Sequence, residues 1–246
     1  MGHNVLVTIT TVTFNSSKTI SKAIESVLNQ TYPHIEYIIK DGLSSDETVS
    51  IAKSYEHLFN KKGYKYTIIS SKDDNMYDAL NQAISLASGE IIGNVNADDF
   101  FELDAVEIIV KKYKEANFDM AYGNLRIISS KKKMIKKAKL KRFVSTRYWN
   151  HPTSFFKASV LKTEKYACHN MYDDCDLMLR IRKKNYKVVV LDTVLSNFVF
   201  GGMSTKKSIS EMKYRIKCRN EVYSKNGYNF LYKIDNFFIE LFKYLF

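Results

Sequence analysis

Glu90-Ile91-Ile92-Gly93-Asn94-Val95-Asn96-Ala97-Asp98-Asp99 reads as a strand over its first six residues, ending in two adjacent carboxylates. Just before it a helical pattern runs from roughly Met76 to Ala87 and stops at Gly89, which reads as a C-cap. Working back, Tyr66 to Ser70 is a strand that leads into that helix. Tyr37-Ile38-Ile39 is another, Asp41-Gly42 a turn, and Ser44 with Glu47 has capping-box spacing ahead of a helix carrying Val49, Ala52, Tyr55 and Phe59. Val5 to Thr11 is rich in β-branched residues and Asn15-Ser16-Ser17 offers a helix cap. Ile20, Ala23, Ile24, Val27 and Leu28 then recur at i, i+3, i+4, i+7 and i+8. Four strands alternating with three helices predict an α/β fold, a Rossmann-like, mostly parallel central sheet flanked by helices. Ligands of such sheets bind outside the carboxyl ends of the strands.

Those ends carry acids: Asp41 after the second strand, Asp73 and Asp74 after the third, Asp98 and Asp99 after the fourth. Carboxylates that converge on one crevice repel one another and call for a cation. Hard oxygen ligands suit Mg²⁺ or Mn²⁺, whose remaining positions phosphate and water fill, so a diphosphate ligand follows. The plainer alternative is that Asp98 and Asp99 cap a helix beginning after Phe101.

Downstream the pattern is less regular. A helix is expected from about Leu103 to Ala116, short strands near Met120 and over Ser154 to Phe156, and a helix from about Asp173 to Lys184. Strand-like Val188 to Leu191 and Val194 to Phe200 precede Gly201-Gly202 and a polar helix to Lys225. This half is expected to bind an acceptor.

The 246 residues, 45% hydrophobic and 26% charged, suffice for one sizeable core, and two prolines leave no Pro-rich linker. The net charge of +12 favours an anionic ligand or surface without choosing among them. Three cysteines without CxxC spacing argue against a zinc knuckle and a secreted disulfide framework and fit a reducing cytoplasm. The N-terminus lacks a signal-peptide pattern, and no uncharged apolar stretch is long enough to span a bilayer.

Several motifs together resemble the family-2 glycosyltransferases of the GT-A fold, especially those of bacterial surface-polysaccharide synthesis. Thr11-Val12-Thr13-Phe14-Asn15 looks like the family's opening nucleotide loop, and Ser26 to Pro33 with Glu36 to Gly42 is similar to its second signature. Tyr77-Asp78-Ala79-Leu80-Asn81, Ser88 to Gly93 and Asn96-Ala97-Asp98-Asp99 match its central block. Asp174 to Arg180 resembles the acceptor-side signature and Gly201-Gly202-Met203-Ser204 the late Gly-Gly-x-Ser. Ser71 stands where many relatives have glutamate and Asn75 where they usually have glycine, a position at which asparagine tolerates left-handed backbone.

The resemblance implies a GT-A domain over 1–227, its nucleotide-sugar half 1–100 and its acceptor half 101–227, followed by an amphipathic helix over 228–246. It implies an inverting, metal-dependent transferase that moves a hexosyl or N-acetylhexosaminyl group from a nucleotide-diphosphate donor, UDP-sugar above all. The acceptor is a glycan or polyprenyl-diphosphate-linked hydroxyl. Thr11, Thr13, Asn15, Asp41, Asp73, Asn81, Asn96 and Asp98 are then donor-binding, with Asp41 on the base. Asp99 and Asp98 hold Mn²⁺ or Mg²⁺, Asp99 the closer. Asp174 leads as catalytic base with Asp176 second, and His151, Arg180 and Gly202 lie on the acceptor side.

Lys131 to Arg147 holds nine basic residues and no acid, which reads equally as a solvated hairpin or as an attraction to an anionic membrane or a lipid-diphosphate acceptor. In the tail, Asn229, Lys233, Asn236, Glu240 and Lys243 form a narrow polar stripe on an otherwise apolar helix. Its wide face is expected to be buried in a membrane interface, against a partner subunit of a homodimer, or on its own domain. Work at the inner face of the cell membrane fits the first.

Two other classes stay open at this point. A sugar nucleotidyltransferase would carry a Gly-rich phosphate loop near the first strand, where residues 1–41 hold only Gly2. An anionic-surface or nucleic-acid-binding protein suits the charge and the 17 tyrosines, but no zinc spacing, RNA-recognition signature or helix-turn-helix points to nucleic acid.

Overall fold

In the computed structural model, which describes residues 4–129, 132–200 and 208–245, the run after Gly89 forms strand β4 (Ile91–Asn94) at the middle of the sheet. Before it stand β1 (Val7–Thr13), α1 (Ile20–Leu28), β2 (Ile35–Asp41), α2 (Thr48–Ser54), α3 (Glu56–Lys62), β3 (Lys65–Ser70) and α4 (Met76–Leu86). After it come β5 (Phe100–Phe101), α5 (Ala105–Ala116), β6 (Met120–Ile128), β7 (Lys133–Lys136), β8 (Phe155–Lys157) and α6 (Ala158–Glu164). The helix α7 (Asp173–Lys183), β9 (Val188–Val199), α8 (Ile209–Lys225) and α9 (Leu231–Leu245) complete the order.

The strands run β3-β2-β1-β4-β8-β6-β9-β5, with β7 on β6. The expected parallel pairing holds from β3 through β4; beyond it β8 joins β4 and β6 antiparallel, and β9 joins β6 parallel. Every residue of β1, β2 and β4 is buried, as strands covered by helices on both faces require. One core holds Val7, Ile9, Ile24, Val27, Tyr37 and Phe59; the other joins Ile38, Leu80 and Ile92 to Phe156, Leu179 and Tyr223. The two predicted late strands are one, β9, with a register irregularity opposite Gly123 to Leu125.

Tertiary packing overrides several local signals. Helix α1 starts after Thr19 and receives no side-chain cap, because Asn15 and Ser16 join the loop after β1 to the loop after β2 instead. Ser44 turns back to Asp41, so the anticipated capping box does not form and α2 begins at Thr48 without one. Gly89 lies beyond the C-cap of α4, which is Ala87; a Cβ at Gly89 would stand 2.6 Å from the Thr8 amide, so close strand packing explains it. Asn75 is extended, with φ −173°, and caps α4 by accepting from the amides of Tyr77 and Asp78 at 2.9 and 3.1 Å. It is not left-handed, and such a cap contributes about 0.5–2 kcal/mol.

Helix α9 does not bury its apolar face on its own domain, one of the three expectations; part of its polar stripe turns inward instead. Asn236 and Glu240 are fully buried, whereas Phe230, Leu231, Ile234, Phe237, Phe238 and Phe242 are exposed. The cause is charge: Arg215 and Arg219 on α8 are buried and meet Glu240 there. No helix among the described residues is long and apolar enough to cross a membrane.

Candidate active site

The carboxyl ends of β1, β2 and β4 lie on one edge of the sheet, so Thr13, Asp41 and the segment after Asn94 come together there. The alternative reading of Asp98 and Asp99 as helix caps does not hold: α5 starts at Ala105 behind Asp104, and β5 intervenes. Asp99 is fully buried, its carboxylate accepting from the Val199 amide at 3.2 Å and from Asn96 Nδ2 at 3.1 Å. Asn96 accepts in turn from Asn94. Burial, with Asp98 beside it, pushes Asp99 up to about 7. Asp98 is half-buried, and its carboxylate receives no hydrogen bond from the described residues.

Two other acids of this edge are engaged within the fold, while Asp74 is exposed. Asp41 is fully buried and accepts from the Ser44 amide at 3.0 Å, from the Ser44 hydroxyl and from Ser70 Oγ at 2.6 Å. Asp73 pairs at 2.8 Å with the buried Lys40 Nζ, which also donates to the carbonyls of Asp41 and Ser71. Gly42 keeps that pair possible, since a Cβ there would stand 2.9 Å from Asp73 Oδ2. Among the described residues no three His, Cys, Asp or Glu side chains gather for a metal, so the expected convergence of all these acids on one ion does not occur. Asp98 and Asp99 still fit a cation of the Mg²⁺ or Mn²⁺ kind, which takes one or two carboxylates and completes its shell with phosphate and water.

Of the residues expected in the opening loop, Thr11 is engaged inside the sheet by Tyr37 and the Val95 carbonyl, and Asn15 ties the two loops together with φ +49°. Thr13 differs: at the end of β1 its hydroxyl is buried with no hydrogen-bond partner among the described residues. Asn81 does not face the edge, because both ends of its amide bind the backbone of Tyr166.

On the opposite side α7 begins with three acids in different surroundings. Asp173 accepts from the amides of His169 and Asn170, and its other oxygen is buried without a partner. Asp176 is engaged by Arg180 at 2.8 Å and Asn226 at 2.7 Å. Arg180 also donates to Glu164 and the Lys165 carbonyl, so it holds α7 against α6 rather than facing an acceptor. Asp174 is half-buried and, among the described residues, accepts only from the adjacent Cys175 amide. Its charge is felt by Tyr77, Tyr166 and His151: burial raises both phenols and lowers the imidazole, while Asp174 raises all three.

His151 links the two sides. Its Nε2 lies 3.0 Å from the Tyr166 hydroxyl, and it lines one small cavity with Thr10, Asn94 and Tyr166. The Tyr166 ring stacks on Tyr77 at 5.3 Å, and the Tyr77 hydroxyl donates to the Met171 carbonyl. The chain Asp99–Asn96–Asn94 thus reaches the cavity that His151 and Tyr166 close on the Asp174 side. Sequence reasoning missed Lys40, Tyr77 and Tyr166, apolar-looking or ordinary positions whose polar ends matter only once the loops meet. Gly202 and Lys131 lie outside the described residues.

Residues 8–180 match the family described as Glycosyl transferase family 2. The chain is 37% identical over 110 residues to the chondroitin synthase of Escherichia coli, covering 45% of this chain and 16% of that one. Its relatives are thus much longer than the part it spans. Among solved structures, S. aureus TarS 1–349 in complex with UDP superposes with a TM-score of 0.68 at 16% identity, over 96% of this chain and 70% of that one. The mannosyltransferase PcManGT from Pyrobaculum calidifontis, in complex with GDP-Man and Mn²⁺, gives 0.67 at 18% identity, over 91% and 64%. At such identities the likeness is one of fold, and both neighbours are GT-A glycosyltransferases.

Proposed function

This chain belongs to glycosyl transferase family 2, and from that premise we propose that it transfers a sugar from a UDP-sugar to a hydroxyl of a glycan or lipid-linked acceptor in surface-polysaccharide synthesis, with inversion at the anomeric carbon. The observation that carries the reading is the pair Asp98 and Asp99, adjacent after β4: a half-buried carboxylate that receives no hydrogen bond from the described residues beside a fully buried one, next to the end of β1. TarS with UDP and PcManGT with GDP-Man and Mn²⁺ support a nucleotide-sugar donor and a divalent ion.

The nucleoside lies against the ends of β1 and β2, where the Thr13 hydroxyl gains a partner and Ser44 and Ser70, fixed by Asp41, shape the wall. Asp99, anchored on the Val199 amide, and Asp98 would hold Mn²⁺ or Mg²⁺, which when bound would supply Lewis-acid stabilisation of charge on the leaving diphosphate. From the other side Asp174 takes the proton of the acceptor hydroxyl as its oxygen attacks the anomeric carbon, a step in which a positioned base contributes about 10²- to 10⁴-fold. His151 and the Tyr166 hydroxyl, 3.0 Å apart, keep that side polar. Three free thiols suit a reducing compartment, and we assign the reaction to the cytoplasmic side.

Hydrolysis of UDP-sugars, followed with Mn²⁺ and with chelator, tests the donor half. It is expected to need the ion and to be lost in Asp98→Asn. Equal hydrolysis by wild type and Asp98→Asn, or no turnover and no binding of any nucleotide sugar, would sink the reading.

A further inference from the structure

Helix α9 turns its polar side inward and leaves its apolar side in water. At about 100° per residue, Leu231, Ile234, Phe237, Phe238, Leu241 and Phe242 fill an arc of roughly 140°. All but the partly covered Leu241 are exposed, Phe238 at 53% and Ile234 at 42%. A cluster of this size on one helix is more than the scattered apolar residues of an ordinary surface.

The loop that carries the basic run lies beside this face. Phe143 stacks on Tyr232 of α9 at 4.3 Å, Ser145 donates to Asp235, and Arg147 shares a groove with Phe238, Leu241 and Phe242. Lys139, Lys141 and Arg142, immediately before Phe143, are exposed, as is Lys233 on the edge of the arc. The acids of α9 are both engaged: Asp235 pairs with Arg147 at 2.7 Å, and Glu240 is buried against Arg215 and Arg219. The patch is therefore apolar in the middle and positive at its rim.

We propose that this face of α9, with the Lys139–Arg147 loop, seats in the interfacial layer of a bilayer rich in anionic lipid. Apolar burial and attraction to acidic headgroups then act together, the combination by which interfacial helices hold a surface. A second copy of the chain fits less well, since it would bring two basic loops together with no acid to answer them. Glu240, on the inward face of α9, accepts from the Tyr172 hydroxyl at 2.9 Å, which holds the helix against the start of α7 and leaves the apolar face outward.

The test is co-sedimentation of the full chain with vesicles of phosphatidylglycerol and of phosphatidylcholine, with light scattering to give the mass in solution. Binding is expected to the acidic vesicles, to weaken with salt, and to fall at least roughly tenfold in Ile234→Glu/Phe238→Glu. Lys141→Gln/Arg142→Gln, which leaves the apolar face intact, is expected to weaken it roughly tenfold. Equal binding to both vesicle types, or unchanged binding in either double variant, overturns the proposal. So does a solution dimer that Ile234→Glu/Phe238→Glu converts to monomer.

Discussion

Arg215 Nε donates to Glu240 Oε2 at 2.9 Å, both side chains being almost wholly withdrawn from water. Arg219 and the Tyr172 hydroxyl bind the other oxygen. Burial alone would raise the Glu240 carboxyl, but Lys243, Arg219 and Tyr172 outweigh it and hold it below its ordinary range. Removing the charge takes away the carboxylate that the buried guanidinium groups of Arg215 and Arg219 share, and a broken buried pair typically costs about 3–5 kcal/mol. Glu240→Gln is therefore expected to lose stability of that order in urea denaturation. A loss below about 1 kcal/mol would mean that the cluster does not hold α9. Because the folded carboxyl is depressed, its contribution is present above the ordinary value of 4.5 and fades as the pH falls below it. Glu240→Gln should lack that part of the acid sensitivity.

Gly93 sits in β4 where Phe155 crosses from β8, and a Cβ there would lie 2.4 Å from the Phe155 ring. Phe155 is fully buried and stacks on Phe101, so it has nowhere to retreat. Gly93→Ala is expected to destabilise by about 1–3 kcal/mol. Adding Phe155→Leu should restore part of that, and a double-mutant cycle showing simple additivity would contradict the packing account.

At the N-terminus of α4, Asn75→Ala should cost about 1 kcal/mol and Asn75→Gly only a few tenths, since glycine is itself an acceptable cap. Glycine would thus be tolerated here. Thermal unfolding of the two variants decides it; equal losses would point to another role for the Asn75 side chain.

The alternation of strands and helices to β4 was legible because each element carries its own periodicity and β1 is rich in β-branched residues, but the single helix expected after β2 is two, α2 and α3, which meet at Tyr55. Side-chain partners were not. Ser44 has the spacing of a helix cap, yet Asp41, three residues earlier and buried, competes for it and wins. Asp73 looks like a free acid until β3 sets it beside Lys40, and Arg180 like an acceptor contact until α6 brings Glu164 to it. The orientation of α9 depended on Arg215 and Arg219, which look like ordinary charges on a polar helix and become buried only when α8 packs. Periodicity reports which faces differ, while the partner decides which one turns inward.

Asp174 and Asp176 differ by half a turn, and that difference separates chemistry from architecture. Asp176 is buried and holds Arg180 and Asn226, joining α7 to the segments at 164–165 and 226. Among the described residues Asp174 accepts only from the next amide, and it stands near His151, Tyr77 and Tyr166. Asp176→Asn should therefore lose about 1–3 kcal/mol of stability while keeping turnover at temperatures where it stays folded. Asp174→Asn should unfold like the wild type and still bind donor, yet lose turnover by about 10²- to 10⁴-fold. The pair is decisive because the two outcomes are opposite in both readouts. If Asp176→Asn abolished transfer in a stably folded protein while Asp174→Asn spared it, the base would have to be reassigned to Asp176, and Arg180 would return to the acceptor side as its partner.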